Sequence, residues 1–435
     1  MARKILNRET AFAVIPGLLL AVYFFWNTPV AWDLGGHIQA ARDFSKYIFP
    51  YFAGWNPHQL MGYPQGYFYP SLLYWLSSLP SSLGLPAETA FKALISLSLI
   101  LLPVSWLSLL NSLKISSKVL AVILLWWVYF IPKGHIGGDF WGLFRIGLAN
   151  QSFAVPFVFF YWAACCRDTP RVRELSFWLS LTILSHAFMA LAAAVGGFLW
   201  IYQRGLWRTY WIHAGLCFGL CALWIVPYLL LSEYGTGVSI PISSRFFSDW
   251  ATDSGWILGV AQIAAVALLI LRSPSLYKSS QWKLPVRWMA FWFLALAVLM
   301  FADLQMQDGL HLPVHLYRLI ILGLYVSMIP LSGALMKGFG SQNVPVGLAL
   351  MLAVGSGAKA LLDLPQLSES ADLKKPFHVE DRILVNLPTK IWPGTFAPHF
   401  MTNHLANDGH SLANGLFVES SRNSILVFVL VESHK

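Results

Sequence analysis

Asp33 and His37 stand four residues apart in the stretch AWDLGGHIQAARDF, residues 31–44, which follows the first apolar run of the chain. In a helix that begins at Asp33, the two side chains share a face. A carboxylate in a partly desolvated groove can act as a general base, and His37 could orient it. The alternatives are structural, because Asp33 could simply cap the helix and His37 could be satisfied by interfacial water.

A second acid, Asp139, lies in the stretch PKGHIGGDFWGLFRIGLAN, residues 132–150. It is the only acid between Lys133 and Asn150. Lys133 and Arg145 flank it, and either cation could bind an anion such as phosphate.

Arg318 begins an apolar run in HLPVHLYRLIILGL, with His311 and His315 close by. An ionisable group just inside a membrane span is costly and therefore indicates a function, here the binding of a phosphate. The alternative is that the arginine side chain reaches the lipid headgroups.

His58 belongs to GWNPHQLMGYPQGYFYPSLLYWL, residues 54–76, which is rich in Gly, Pro, Tyr and Trp. That composition predicts a lid or groove wall at headgroup level, with His58 among the substrate-binding residues. The alternative is an aromatic belt without a ligand.

The elements that position these residues belong to a membrane protein. The 435 residues are 57% hydrophobic and only 11% charged, which is too few charges for a water-facing surface. Apolar runs of spanning length recur along the chain. The formal net charge of +9 is spread over short basic groups between these runs, so it does not indicate nucleic-acid binding.

The apolar runs predict an all-α polytopic protein with about eleven spans. The stretch 69–86 is interrupted by Pro80 and predicts a re-entrant or interfacial element, whereas 175–202 predicts two short or tilted helices. The other predicted spans are 11–26, 87–110, 118–131, 150–165, 209–231, 254–271, 287–302, 314–336 and 345–362.

The positive-inside rule gives the orientation. The basic segments would be cytoplasmic, with the N-terminus inside and the C-terminus outside the cytoplasmic membrane. These segments are 1–8, 111–118, 167–173, 203–208 and 272–283.

Two outer loops, 27–68 and 132–150, carry most of the polar variety within a transmembrane domain of residues 1–362. In the first loop, Leu34, Ile38 and Ala41 recur at helical spacing, while Gln39 and Asp43 point elsewhere, which predicts a helix along the membrane surface. Residues 363–435 are more charged and predict a small extracytoplasmic α+β segment, with a strand at 425–431.

Several other sequence patterns do not predict a metal, nucleotide or catalytic site. The four cysteines lie in or beside apolar runs, which predicts packing rather than disulfides or a metal site. No Gly-rich stretch has the Lys and Ser or Thr of a phosphate-binding loop. His186, in LSHAFMAL, is interpreted as a packed or hydrogen-bonded helix residue whose position keeps it from the outer acids.

The chain resembles a known superfamily. The first span, the loop with Asp33-Leu-Gly-Gly-His37, and the WNP, GYP and YPSLLY motifs that follow resemble the GT-C superfamily of membrane glycosyltransferases. The resemblance is closest to the bacterial and archaeal membrane proteins labelled as related to 6-pyruvoyl-tetrahydropterin synthase, without implying pterin chemistry. It continues at RIGLANQSFAVPF, LSHAFMAL, HLYRLIILGLY and NGLFVESS.

The resemblance implies transfer of a sugar from a polyprenyl-phosphate-linked donor to a glycan, lipid or protein acceptor at the outer face. It implies that Asp33 is the first essential acid, with Asp139 as the second; the helical spacing adds His37 as a supporting catalytic residue. Asp33 has no paired acid beside it, so the binding of Mg²⁺ or Mn²⁺ is left open, since a divalent cation usually needs more than one carboxylate.

Two other classes of function are alternatives. A transporter or lipid flippase would have ionisable residues at mid-span and matching broken segments in two halves. A non-catalytic membrane scaffold would have dispensable outer acids.

Overall fold

A computed structural model of the protein describes residues 8–27, 33–57, 63–131, 137–231, 319–339 and 343–363. These residues are mostly helical. The α-helices are α1 Arg8–Trp26, α2 Leu34–Asp43, α3 Leu72–Ser81, α4 Ala87–Ser112, α5 Lys118–Phe130, α6 Ala149–Cys166, α7 Val172–Ser185, α8 Ala187–Gln203, α9 Trp207–Leu231, α10 Ile320–Gly338 and α11 Asn343–Asp363. Two π-helical turns cover Phe44–Ile48 and Gly142–Ile146, and strands β1 Gly54–Asn56 and β2 Tyr63–Gln65 form an antiparallel hairpin.

The apolar runs predicted as spans form helices wherever the structure describes them. In that part of the chain, α4, α9 and residues 343–362 of α11 are long and apolar enough to cross a membrane, and shorter apolar helices accompany them. The predicted count of about eleven spans is not confirmed. The predicted spans 254–271 and 287–302 and the segment 364–435, with its predicted strand, lie outside the described residues.

The stretch 175–202 forms two short helices, as predicted. α7 ends at Ser185, His186 adopts an extended conformation, and α8 begins at Ala187. The stretch 69–86 contains α3, a helix of ten residues, which is too short to cross about 30 Å of hydrocarbon.

Hydrogen bonds from tryptophan side chains connect several of the helices. Three tryptophan N–H groups each donate to a backbone carbonyl of a neighbouring helix, which satisfies a polar group that lipid could not. The pairs are Trp106 with Ala121, Trp126 with Ala13 and Trp162 with Ala193, at 3.2, 3.1 and 3.1 Å.

The turns between α4 and α5, α6 and α7, and α8 and α9 meet at one end of the bundle. Lys114 pairs with Asp168 at 3.3 Å, and the Arg204 guanidinium donates to the carbonyls of Arg167 and Asp168. The first outer loop, the start of α4 and the start of α6 lie at the other end, where Arg42 pairs with Glu88. The three basic segments thus share an end, and their cytoplasmic location stays a prediction.

Helices α1 and α4 approach each other closely at Gly17. A β-carbon at this position would lie 2.5 Å from the Leu99 carbonyl oxygen, which is backbone and cannot rotate away. Nearby, the Ser96 hydroxyl donates to the Ala21 carbonyl at 3.0 Å.

Gly17→Ala should therefore lower the thermal unfolding midpoint of the detergent-solubilised protein, because overpacking a close contact costs about 1–3 kcal/mol. Gly215→Ala is the control, since Gly215 lies on α9 with nothing within 4 Å of its added β-carbon. The unfolding midpoint of Gly215→Ala should equal or exceed that of the wild type, because alanine has a higher helix propensity than glycine. Equal midpoints for the two variants would contradict the close α1–α4 contact.

Candidate functional site

Asp33 is buried at the start of α2, with 8% of its surface exposed. Its backbone is already helical, at φ −90° and ψ −16°, and its carbonyl accepts the His37 N–H at 2.9 Å. The side chain makes no capping hydrogen bond to α2. The structure therefore does not show the capping role that the sequence left open for Asp33.

The surface of α2 is buried on more sides than its sequence pattern predicts. Leu34, Ile38 and Ala41 are buried as expected, but Gln39 and Asp43 are buried as well. The spacing predicted only that Gln39 and Asp43 lie off the apolar face, and it did not predict that they are buried.

The β-hairpin explains this burial by supplying amide partners. Asp43 accepts hydrogen bonds from Gln39 at 2.8 Å and from the Asn56 amide at 3.2 Å. The same Asn56 amide donates to Gln65 at 2.8 Å, and Gln65 donates to the Ala40 carbonyl at 3.2 Å. This network fixes the C-terminal half of α2 against the hairpin.

Asp139 is fully buried and caps a short helical segment in the second outer loop. Its Oδ1 accepts the Gly142 N–H at 3.1 Å, and its carbonyl accepts the Leu143 N–H at 3.1 Å. Its Oδ2 is buried and has no hydrogen-bond partner among the described residues. Burial raises the pKa of Asp139 to about 8, although nearby backbone N–H groups, among them those of Gly142 and Trp141, oppose the shift.

The two outer loops are in direct contact through their backbones. The Asp33 N–H donates to the Ile146 carbonyl at 2.7 Å. The next residue, Gly147, has a left-handed conformation, at φ 90° and ψ 25°. The two acid-bearing segments, which meet through residues 113 positions apart in sequence, are therefore neighbours in space.

His37 is buried, and its Nδ1 lies 2.6 Å from the hydroxyl of Tyr74 on α3. Sequence reasoning proposed His37 as the partner of Asp33 and did not single out Tyr74. The signal was present, because Tyr74 ends the YPSLLY motif of the resemblance. If the tyrosine donates, His37 carries its proton on Nε2.

Arg145 is half-buried one residue before the loop contact. Its guanidinium lies over the Trp141 ring at 5.9 Å from the centroid. Among the described residues, this guanidinium has no ion-pair or hydrogen-bond partner. The other sequence-predicted binding residues lie outside the described residues: His58, Lys133, His311, His315 and Arg318.

His186 is a buried residue at the start of α8, which agrees with its interpretation as a packed or hydrogen-bonded helix residue. Its Nδ1 accepts the Met189 N–H at 3.4 Å, which caps α8, and its ring meets the Tyr69 ring edge-on at 5.9 Å between centroids. Tyr69 directly follows the first outer loop in sequence. The separation of His186 from the outer acids stays a prediction.

The described residues contain no group of three or more His, Cys, Asp or Glu side chains that could hold a metal ion. No protein family, curated protein or solved structure compared with the chain matches it.

Asp139→Asn should become progressively more stable than the wild type as the pH rises from about 4 to about 8. Over this range the unfolded carboxyl ionises while the folded one stays protonated, so the wild type loses stability. The asparagine keeps the oxygen that caps Gly142 and carries no charge. Thermal midpoints in detergent at several pH values measure the difference.

Asp168→Asn is the control, since Asp168 is an exposed acid at the opposite end of the bundle. Its midpoint relative to wild type should change little with pH. If Asp139→Asn instead became less stable than the wild type with rising pH, Asp139 would be an ionised and paired carboxylate.

Proposed function

We propose that this protein is a membrane glycosyltransferase of the GT-C type. It transfers a sugar from a polyprenyl-phosphate-linked donor to a glycan, lipid or protein acceptor at the outer face of the cytoplasmic membrane. The proposal rests on the resemblance of the first outer loop and on one observation. That observation is that the buried Asp33, whose side chain does not cap α2, lies directly against the second outer loop.

Asp33 is the base in the proposed reaction. The acceptor hydroxyl gives its proton to the Asp33 carboxylate while its oxygen forms a bond to the anomeric carbon of the sugar. The bond between that carbon and the donor phosphate oxygen breaks, and the polyprenyl phosphate leaves with the electron pair. His37, hydrogen-bonded to Tyr74, supports the catalytic acid by linking the first turn of α2 to α3.

Asp139 has a supporting role in this proposal. A buried carboxyl with a pKa of about 8 is largely protonated at neutral pH and is a poor base there. It instead stabilises the short helix that ends at Ile146, whose carbonyl contacts Asp33.

Arg145 is the proposed phosphate ligand among the described residues. A half-buried guanidinium without a carboxylate partner is suited to bind an anion, and its planar fork matches a phosphate. It lies next to Ile146, so a phosphate bound there would be near the start of α2. Arg318, with His311 and His315, and Lys133 and His58 remain proposed contributors.

The proposed architecture has about eleven spans, with the N-terminus inside and the C-terminus outside. The meeting of three basic turns at one end of the bundle, opposite the outer loops, supports this orientation. Membrane lipids surround the bundle, and the segment 363–435 would lie outside.

Asp33→Asn should lower transfer at least about 100-fold, because a positioned base contributes about 10²–10⁴-fold. The protein is reconstituted in liposomes with a panel of polyprenyl-phosphate sugars, and donor consumption is measured. Its thermal midpoint is measured alongside, so that a loss of folded protein is separated from a loss of catalysis.

Asp168→Asn serves as the matched control, because the same change at an exposed acid of the opposite end should leave transfer unchanged. Undiminished transfer by Asp33→Asn would overturn the catalytic assignment. Wild-type protein that consumes no donor would favour the transporter or the scaffold.

Arg145→Ala should raise the KM for the donor about 10-fold or more, since a charged hydrogen bond is worth about 1.5–3 kcal/mol. Arg145→Lys should recover only part of this loss, because lysine cannot bind phosphate through two N–H groups. Arg208→Ala, at an exposed arginine of α9, is the control. A KM unchanged in Arg145→Ala would remove Arg145 from the site.

A further inference from the structure

Gly147 occupies a backbone conformation that other residues rarely adopt. It ends the short helix of the second outer loop at φ 90°, in the left-handed region that favours glycine. Its N–H and that of Leu148 both donate to the Gly142 carbonyl, at 3.0 and 2.8 Å. The turn is therefore tightly specified.

The direction in which a side chain at position 147 would project is occupied by the start of α2. A β-carbon would lie 2.3 Å from the Leu34 nitrogen and 3.0 Å from the Asp33 carbonyl carbon. Both are backbone atoms, so the conflict can be relieved only by moving the start of α2 or the loop itself. The Asp33–Ile146 hydrogen bond, at 2.7 Å, lies immediately beside this contact.

The other end of α2 has independent anchors. Asp43 is held by Gln39 and Asn56, and Arg42 pairs with Glu88 at the start of α4. A side chain at position 147 would therefore push on one end of a helix that is fixed at the other. The displacement would fall on Asp33, whose end of the helix is held by the backbone contact that the new side chain disturbs.

We propose that Gly147 is a positioning residue that sets the location of the Asp33 carboxylate through backbone contact between the two outer loops. This inference rests on the proposed transfer reaction for its catalytic consequence. The loop contact itself is tested without that reaction.

Two other glycines provide matched controls. Gly205 and Gly84 also have positive φ, at 64° and 95°, but nothing lies within 4 Å of an added β-carbon at either. Alanine at all three positions imposes comparable backbone strain. Only at position 147 does it also press on Asp33 and Leu34.

The experiment compares Gly147→Ala, Gly205→Ala and Gly84→Ala in the full-length protein in detergent and in liposomes. Buried carboxylates are probed with a carbodiimide and glycine ethyl ester, and labelling of Asp33 is read by mass spectrometry. We expect labelling of Asp33 to rise several-fold in Gly147→Ala alone. Labelling of Glu174, at the opposite end, should stay constant.

Transfer from the polyprenyl-phosphate sugar panel is the second readout. We expect kcat to fall at least about 10-fold in Gly147→Ala with KM little changed, because a misplaced catalytic group loses rate rather than binding. The two controls should keep wild-type kcat. A general loss of structure would instead lower the amount of folded protein without this split between kcat and KM.

Equal labelling of Asp33 in all three variants would overturn the positioning role. Raised labelling with wild-type kcat would overturn its catalytic consequence. Raised labelling in a protein that transfers no sugar would leave the loop contact standing and remove the proposed function. If Gly147→Ala does not accumulate, hydrogen exchange of the wild type decides, since rapid exchange of the Asp33 amide would exclude the contact with Ile146.

Discussion

The hydrogen bond from the Asp33 amide to the Ile146 carbonyl is the contact on which the described end of the bundle depends. The first N–H groups of a helix have no partner within it, and the start of α2 is buried. The second outer loop supplies a partner by turning sharply at Gly147. This turn ends the short helix that Asp139 caps. Asp139 therefore supports the placement of Asp33.

The C-terminal half of α2 is held by a different kind of interaction. Asp43, Gln39, Asn56 and Gln65 form a buried network in which amides surround one carboxylate. The Asp43 carboxylate and the Asn56 amide are paired within this network, whereas the Gln39 Oε1 is buried without a partner among the described residues. The helix is thus fixed by side chains at one end and by backbone contact at the other.

The positions of the apolar helices could be predicted from the sequence to within a few residues. The predicted run 118–131 corresponds to α5, Lys118–Phe130, and the predicted run 150–165 corresponds to α6, Ala149–Cys166. The agreement is close because polar residues flank each apolar run and so indicate where its helix begins and ends. Burial of Gln39 and Asp43 could not be predicted, since Asn56 and Gln65, whose amides complete the network, follow Asp43 by 13 and 22 residues.

The sequence also could not predict which of the two acids at the candidate site caps a helix. Asp33 and Asp139 both precede a helix, and which one caps depends on local dihedral angles. The helix after Asp139 is too short to produce a periodic pattern. The proximity of the two loops likewise depends on a contact between residues 33 and 146, which no local pattern records.

The lengths of α5 and α7 distinguish them from α4 and α9. These helices have 13 and 14 residues and rise about 20 Å, against about 30 Å for the hydrocarbon of a typical bilayer. Most of α5 is buried against neighbouring helices, so its polar backbone ends are covered by protein rather than by lipid. A helix too short to cross a bilayer can thus belong to the proposed membrane bundle when longer helices such as α4 enclose it.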